Sequence, residues 1–249
     1  MMKGTLLRHL LRIVGLLAVA LLALQLFFIA RVALLALVDP QSTSFQRSEA
    51  WRLLNAKSRI EWSQQWVAGE HIAANLKRAV IASEDAAFAE HRGVDWDAIE
   101  RAWERNQQAE ARTERRGAQA GRLQAPAKLV GGSTITQQLA KNLLLSGERT
   151  PLRKAQEFVL TFALESFLSK RRILEIYLNH VEWGEGVFGA QAAARHYFHV
   201  DAAQLGAYPA ARLATMLPAP KRFERLPQSP YLAERSATVV ARMAAVELP

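Results

Sequence analysis

The chain has no cysteine. That removes disulfides, thiolate metal sites and a thiol nucleophile, and it leaves the redox compartment open. No G-x-x-x-x-G-K-[ST] run and no strand-linked G-x-G-x-x-G occurs, so neither phosphate loop of the nucleotide-binding folds is present. The six histidines include no H-E-x-x-H pair. No stretch sustains the apolar–polar alternation that strands need, and no segment repeats. Acids are in deficit: 23 against 32 lysines and arginines, for a formal charge of +9 and a pI near 10.2. Such a surface favours anionic partners, whether nucleic acid, acidic lipid headgroups or phosphorylated substrates.

What is present begins with a greasy N-terminus. Half of the 249 residues are hydrophobic. "IVGLLAVALLALQLFFIA", residues 13–30, carries no charge, and "VALLALV" resumes after Arg31. A spanning helix needs roughly 20 apolar residues, whereas the core of a signal peptide runs to about 7–15. The run predicts a retained anchor over 13–38, with Arg31 snorkelling to the interface or pairing with a partner helix. Lys3, Arg8 and Arg12 precede it, and Arg47, Arg52 and Lys57 follow at greater distance. The nearer basic cluster favours a cytoplasmic N-terminus, residues 1–12, with the bulk of the chain outside.

Residues 39–73 read as a polar connector with helical patches. Its Trp51, Trp62 and Trp66 either pack on the domain or sit at the membrane interface. A catalytic domain is expected over 74–249. Its first helix has Asn75 as cap and Gly93 as stop, and "DWDAIERAWERN" is a second helix. "QQAEARTERRGAQAGRLQAPAK" then has almost no large apolar group and predicts a mobile basic loop over about 107–130. From Gly131 onward helix follows helix. Thr150 with Pro151, and Ser169, mark two helix starts. The fold class is mostly α.

Within the first helix, Leu76, Val80, Glu84 and Phe88 fall four apart, so a carboxylate shares a row with three apolar groups. "GGSTITQQLAKNLLLSG", residues 131–147, opens on glycines and the natural caps Ser133 and Thr134. Its apolar face is Ile135, Leu139 and Leu143. Thr134, Gln138 and Lys141 form a polar stripe, and the Gly-Gly opening would let an anion approach free backbone N–H groups. In "RKAQE", Arg153 and Glu157 stand at i and i+4: either a surface ion pair or an acidic site group held beside cations. "WGEGVFGAQAAARHYF" reads as a glycine turn feeding a small-residue helix. His91 reads as a local hydrogen-bonding group.

Taken in order, "EDAAFAEHRG", "GGSTITQQLAKN", "RKAQE", "KRRILEIYLN" and "GVFGAQAAARHYF" resemble the five signature motifs of the family 51 peptidoglycan glycosyltransferases, over roughly residues 70–220. The end at Pro249 leaves no room for a transpeptidase domain, so the resemblance is to the monofunctional biosynthetic form. It implies a lysozyme-like α lobe, a small membrane-hugging jaw lobe, and polymerisation of lipid II at the outer face of the inner membrane. By position it implies Glu84 as the catalytic glutamate and Asp85, Phe88 and His91 as its motif partners. It also implies these three partners together with Ser133, Thr134, Gln138, Lys141, Arg153, Lys154 and Lys170 as substrate contacts, and Glu157 as a second catalytic carboxylate.

The chemistry suits these residue types. An attacking hydroxyl needs a base, and a carboxylate turned towards an apolar side is more basic than a free one. Diphosphate leaves without a proton but needs positive charge, which points to Lys141, Arg153 and Lys154. Attack on an α-linked donor predicts inversion to a β-linkage. No cofactor is required, with Mg or Mn at Glu157 as the alternative to Glu157 orienting the cations. The expected partners are lipid II, the growing glycan, the inner membrane and other cell-wall synthesis proteins, with no nucleic acid. The rival readings are a lytic transglycosylase and a non-catalytic cell-wall scaffold.

Overall fold

The computed structural model describes residues 2–120, 131–148 and 150–249, with side chains over 7–113 of the first stretch. Helices dominate, and the described strands are three short ones. β1 (Ser63–Gln64) runs parallel to β3 (Val187–Phe188), which pairs antiparallel with β2 (Glu182–Gly184).

The core is a helix cluster. α3 (Ala74–Glu84), α9 (Ala207–Met216) and α11 (Pro230–Met243) pack mutually. They bury Leu76, Ala79 and Val80 against Ala210, Leu213, Ala214, Leu232 and Val239. Each large aliphatic side chain buried this way contributes roughly 1.5–3 kcal/mol. α5 (Ile135–Leu144) rests on α6 (Pro151–Phe167), on α7 (Lys170–His180) and on α2 (Ser44–Lys57). α6 starts at the Thr150 cap with Pro151 in its first turn, and α7 at the Ser169 cap, as the caps predict. Behind the β2–β3 hairpin, α8 (Ala190–Phe198) buries an alanine-rich face. α10 (Pro220–Arg225) leans on β2.

α1 (Met2–Leu34) is one helix, and its Leu7–Leu34 portion is long and apolar enough to cross a membrane, with mean hydropathy 2.7. The helix stops at Leu34 rather than 38, because its end is built into the domain. Val32 is fully buried. The side-chain amides of Gln25 and of Gln156 on α6 exchange hydrogen bonds of 2.9 and 3.0 Å. Arg172 on α7 donates to the Leu35 and Val38 carbonyls and to Asp39. Arg31 is exposed, its guanidinium 5.8 Å from the centre of the Phe27 ring.

Three sequence expectations change. α4 (Trp96–Ala120) continues through 107–120, where composition predicts a mobile loop; residues 121–130 lie outside the described ones. Scarce apolar groups argue against burial, not against helicity, and Gln, Glu, Ala and Arg are good helix formers. Second, Asn75 does not cap α3. Ala73 holds that position without a side-chain bond, and Asn75 instead donates to the Leu205 carbonyl, 3.1 Å away. Third, α3 ends at Glu84 and not at Gly93, because the Asp85 side chain is engaged elsewhere.

The connector's tryptophans divide. Trp66 is half-buried against His180 with Arg172 over its ring. Trp62 stacks on Phe188 at 4.4 Å. Trp51 stays exposed.

Candidate active site

Glu84 closes α3, and the chain turns sharply after it. Three long-range contacts fix that turn to the start of α5. Asp85 Oδ2 accepts the Ile135 N–H at 2.9 Å. Thr134 Oγ1 donates to the Gly93 carbonyl at 2.6 Å. Gln138 Nε2 donates to Glu84 Oε2 at 3.1 Å. The other end of the Gln138 amide is held in turn: its Oε1 accepts from the Tyr177 hydroxyl at 2.8 Å. The chain Tyr177–Gln138–Glu84 therefore aims the carboxyl from three helices, α7, α5 and α3.

The environment of Glu84 raises its pKa. Burial is the main cause and Asp85 adds to it, while the Gln138 amide, Arg235 and Ser83 pull the other way. Its hydrogen-bond partner on α5 is a neutral amide, so nothing there cancels the cost of burying charge. A pocket of about 370 Å³ opens over it, lined also by Ser83, Ala87, Arg101, Arg105 and Gly132. Gly132 passes close to α4, where a Cβ would lie 3.1 Å from the Ala98 carbonyl oxygen.

A larger cleft of about 770 Å³ holds Gln138, Lys141, Asn142, Arg153, Lys154 and Glu157, and Ser133 lines both spaces. Glu157 is 3 % exposed. One of its oxygens accepts from Arg153 Nη1 at 2.9 Å and the other from Lys154. A buried carboxylate clasped by two cations has its charge compensated. It can hold both cations in one direction.

The structure redistributes several residues. Asp85 is buried and closes the N-terminus of α5 itself, so the anion that the Gly-Gly opening would admit is the chain's own carboxylate. Thr134 is 2 % exposed and caps α5 in a capping box with Gln137, so it leaves the polar stripe. Nδ1 of His91 accepts the Gly93 N–H, and Nε2 then carries the hydrogen that goes to Asp85 at 2.8 Å. Phe88 is fully buried and has no surface for a substrate, and Lys170 lies over its ring, 4.6 Å from the centre. Lys170 is paired with Glu165 at 2.8 Å, and Glu165 also accepts from Thr136. The fold engages these five groups in its own contacts, although Asp85 and Thr134 also line the smaller pocket beside Glu84 and Ser133. Ser133, Gln138, Lys141, Arg153, Lys154 and Glu157 line the larger cleft.

Sequence reading missed Tyr177, Arg101 and Arg105. Tyr177 lies inside the "LEIYLN" segment, where its spacing from Ile173 matches a core aromatic. Only the fold reveals that its hydroxyl reaches α5, 39 positions away.

No group of three or more metal-ligating side chains is found among the described residues. At Glu157 both carboxylate oxygens are already taken by Arg153 and Lys154. That donor set does not fit a divalent ion without displacing a cation, and no step below is routed through one.

Comparison with known proteins bears on this geometry. Residues 53–244 match the family model described as transglycosylase. A biosynthetic peptidoglycan transglycosylase of Burkholderia thailandensis is 50 % identical over 235 residues, covering 94 % of this chain and 86 % of the relative. One from Burkholderia orbicola is 51 % identical over 228 residues, covering 92 % and 86 %. One from Paraburkholderia xenovorans is 49 % identical over 233 residues, covering 93 % and 90 %.

Proposed function

The chain belongs to the transglycosylase family, and from that premise we propose that it is a peptidoglycan glycosyltransferase that polymerises lipid II. The acceptor hydroxyl attacks the anomeric carbon of a lipid-linked glycan as Glu84 removes its proton. The sugar–diphosphate bond breaks on the opposite face, the linkage inverts to β, and polyprenyl diphosphate departs onto Lys141, Arg153 and Lys154. Glu157 orients Arg153 and Lys154 and transfers no proton.

One observation carries this reading. A half-buried carboxyl with a raised pKa, fixed by a neutral amide, lies beside a cleft where a second carboxylate gathers cations. A glycosidase that protonates an alkoxide places two carboxyls as acid and base or nucleophile. Of Glu84 and Glu157 only Glu84 is left uncompensated, which suits a leaving group that needs charge and not a proton.

α1 serves as a single-pass anchor with its N-terminus in the cytoplasm and the catalytic lobe on the outer face of the inner membrane. The basic surface then faces anionic headgroups and the diphosphates of substrate and product.

The test is polymerisation by the full chain in detergent–lipid micelles with purified lipid II. Long glycan is expected from the wild type. Glu84→Gln should reduce the rate by about 10²–10⁴-fold, the usual contribution of a positioned base. Release of anhydro-sugars from finished cell wall, with no polymer from lipid II, would replace this reading with the lytic one.

A further inference from the structure

A diphosphate held by Arg153 and Lys154 carries a polyprenyl tail, and that tail needs an apolar way out of the cleft. One begins at Lys154 itself. Its Nζ lies 5.1 Å from the centre of the Phe158 ring, one turn along α6. The Phe158 ring stacks on Trp96, the first residue of α4, with centroids 6.3 Å apart and planes within 6°. Trp96 is 64 % exposed.

Phe158 borders the outer face of α6. At about 3.6 residues per turn, Leu152, Val159 and Phe162 share that face, and all three are exposed. The face's other border is the Gln156 side, where α1 packs and the Gln25 and Gln156 amides meet. Gln25 lies about 14 Å from the Leu34 end of α1, at roughly 1.5 Å per residue. The outer face of α6 therefore stands beside a part of α1 well inside the Leu7–Leu34 apolar span. One strip of exposed apolar side chains joins that span to a cation of the large cleft.

A contiguous apolar surface of this kind marks a place that is covered in use. A seat on the bilayer would need only the face beside α1. The Trp96–Phe158 stack extends the strip to Lys154, where an anion binds. A flexible hydrocarbon chain tied to an anion matches both ends: Lys154 takes the charge, and the rings and α6 take the carbon. We propose that Trp96, Phe158 and the outer face of α6 bind the polyprenyl tail of the lipid-linked substrate and lead it from the Lys154 ammonium to the bilayer along α1. The proposal rests on the lipid II reading and deepens it by giving the first isoprene units a protein site.

Steady-state polymerisation by the full chain in detergent–lipid micelles tests it with two substrates, long-tailed lipid II and an analogue cut to a single isoprene unit. Trp96→Ala is expected to raise KM for the long tail about tenfold, which corresponds to about 1.4 kcal/mol. It should change KM for the short tail less than about twofold, because only a contact with the missing carbons couples variant to tail, and it should leave kcat unchanged. Leu152→Ser, at a side chain 81 % exposed, should act in the same way by a smaller factor, and it decides the matter if the alanine protein fails to fold. Long-tailed polyprenyl diphosphate with a diazirine in its first isoprene unit should crosslink on illumination to Trp96 or to residues 152–162, read by mass spectrometry, whether or not the short analogue is turned over. Equal rises in KM for both tails would mean that the strip seats the domain on the bilayer and grips no tail. That result, no rise for either tail, or crosslinks confined to other segments overturns the proposal while polymerisation by the wild type stands. A wild type that makes no polymer from lipid II overturns the reading beneath it as well.

Discussion

Glu84 and Glu157 both face the site, and they are held in opposite ways. Glu84 ends α3 against a neutral amide, and burial raises its pKa. Glu157 sits in the second turn of α6, and each of its oxygens accepts from a cation. Their local sequences already differ: Glu84 shares a row with Leu76, Val80 and Phe88, and Glu157 follows Arg153 and Lys154 by one helical turn. The partners decide. Two cations compensate the charge of Glu157, whereas a neutral amide leaves that of Glu84 uncompensated, at a cost in stability.

The largest effect separates the two by dissociating activity from stability. Glu84→Gln is expected to slow polymerisation by about 10²–10⁴-fold while leaving the melting temperature equal to or above that of the wild type, because it removes a half-buried uncompensated charge. Glu157→Gln should do the reverse in part. It leaves Arg153 and Lys154 without their common partner and lowers stability by about 1–3 kcal/mol. At roughly 2–4 °C per kcal/mol in a domain of this size, differential scanning in detergent resolves that. Its kcat/KM should fall about 10²-fold, short of the loss at Glu84. Equal melting temperatures for the two variants would erase the distinction.

A second measurement sharpens the base side. The Gln138 amide lowers the pKa of Glu84 against the effect of burial. Gln138→Leu should therefore move the acid limb of the kcat/KM profile to higher pH, since the base must be ionised to work. Tyr177→Phe leaves the amide in place but frees its far end. It should cost about tenfold in kcat with a smaller shift of the limb in the same direction. A limb that stays fixed in Gln138→Leu would mean that the amide does not govern Glu84.

How far the sequence foretold this can be read from particular residues. The helix starts at Thr150–Pro151 and Ser169 were legible because capping is local chemistry. The order of the motifs brought Glu84, Gln138, Lys141 and Arg153 to one region. The three-way division of the acids was not legible, because each depends on a partner out of local reach or on burial. Asp85 meets Ile135 fifty positions later, and Glu84 meets Gln138 fifty-four positions later. Thr134 and Phe88 belong to the motifs yet face inward, since a motif records which residues are needed and not which of them touch substrate. α4 ran longer than expected for a different reason: helix propensity outlasted the apolar pattern that was used to find it.

The smallest effect asks whether the rule holds away from the site. His180 ends α7, 1 % exposed, with Nδ1 3.2 Å from the Gln46 and Gln64 amides. Burial pulls its pKa down to about 4, against weaker opposing contributions from the Pro40 backbone and Asp39. It is thus a base kept among neutral partners, the mirror of Glu84. For a group whose folded pKa is depressed below the unfolded value of 6.5, the unfolded chain takes the proton first. Stability is then full above about 6.5 and falls as pH drops towards 4. The depression corresponds to about 3 kcal/mol at its limit. His180→Gln should remove that slope, so that the melting temperatures of variant and wild type converge by ~5 °C or more between pH 7 and 4. Glu182, whose folded pKa is raised, contributes the opposite trend, with stability lost as pH rises from about 4.5 through about 7. Parallel melting curves for wild type and His180→Gln would mean that a compensating anion reaches the imidazole. Amide neighbours alone would then not explain an uncompensated buried charge, either there or at Glu84.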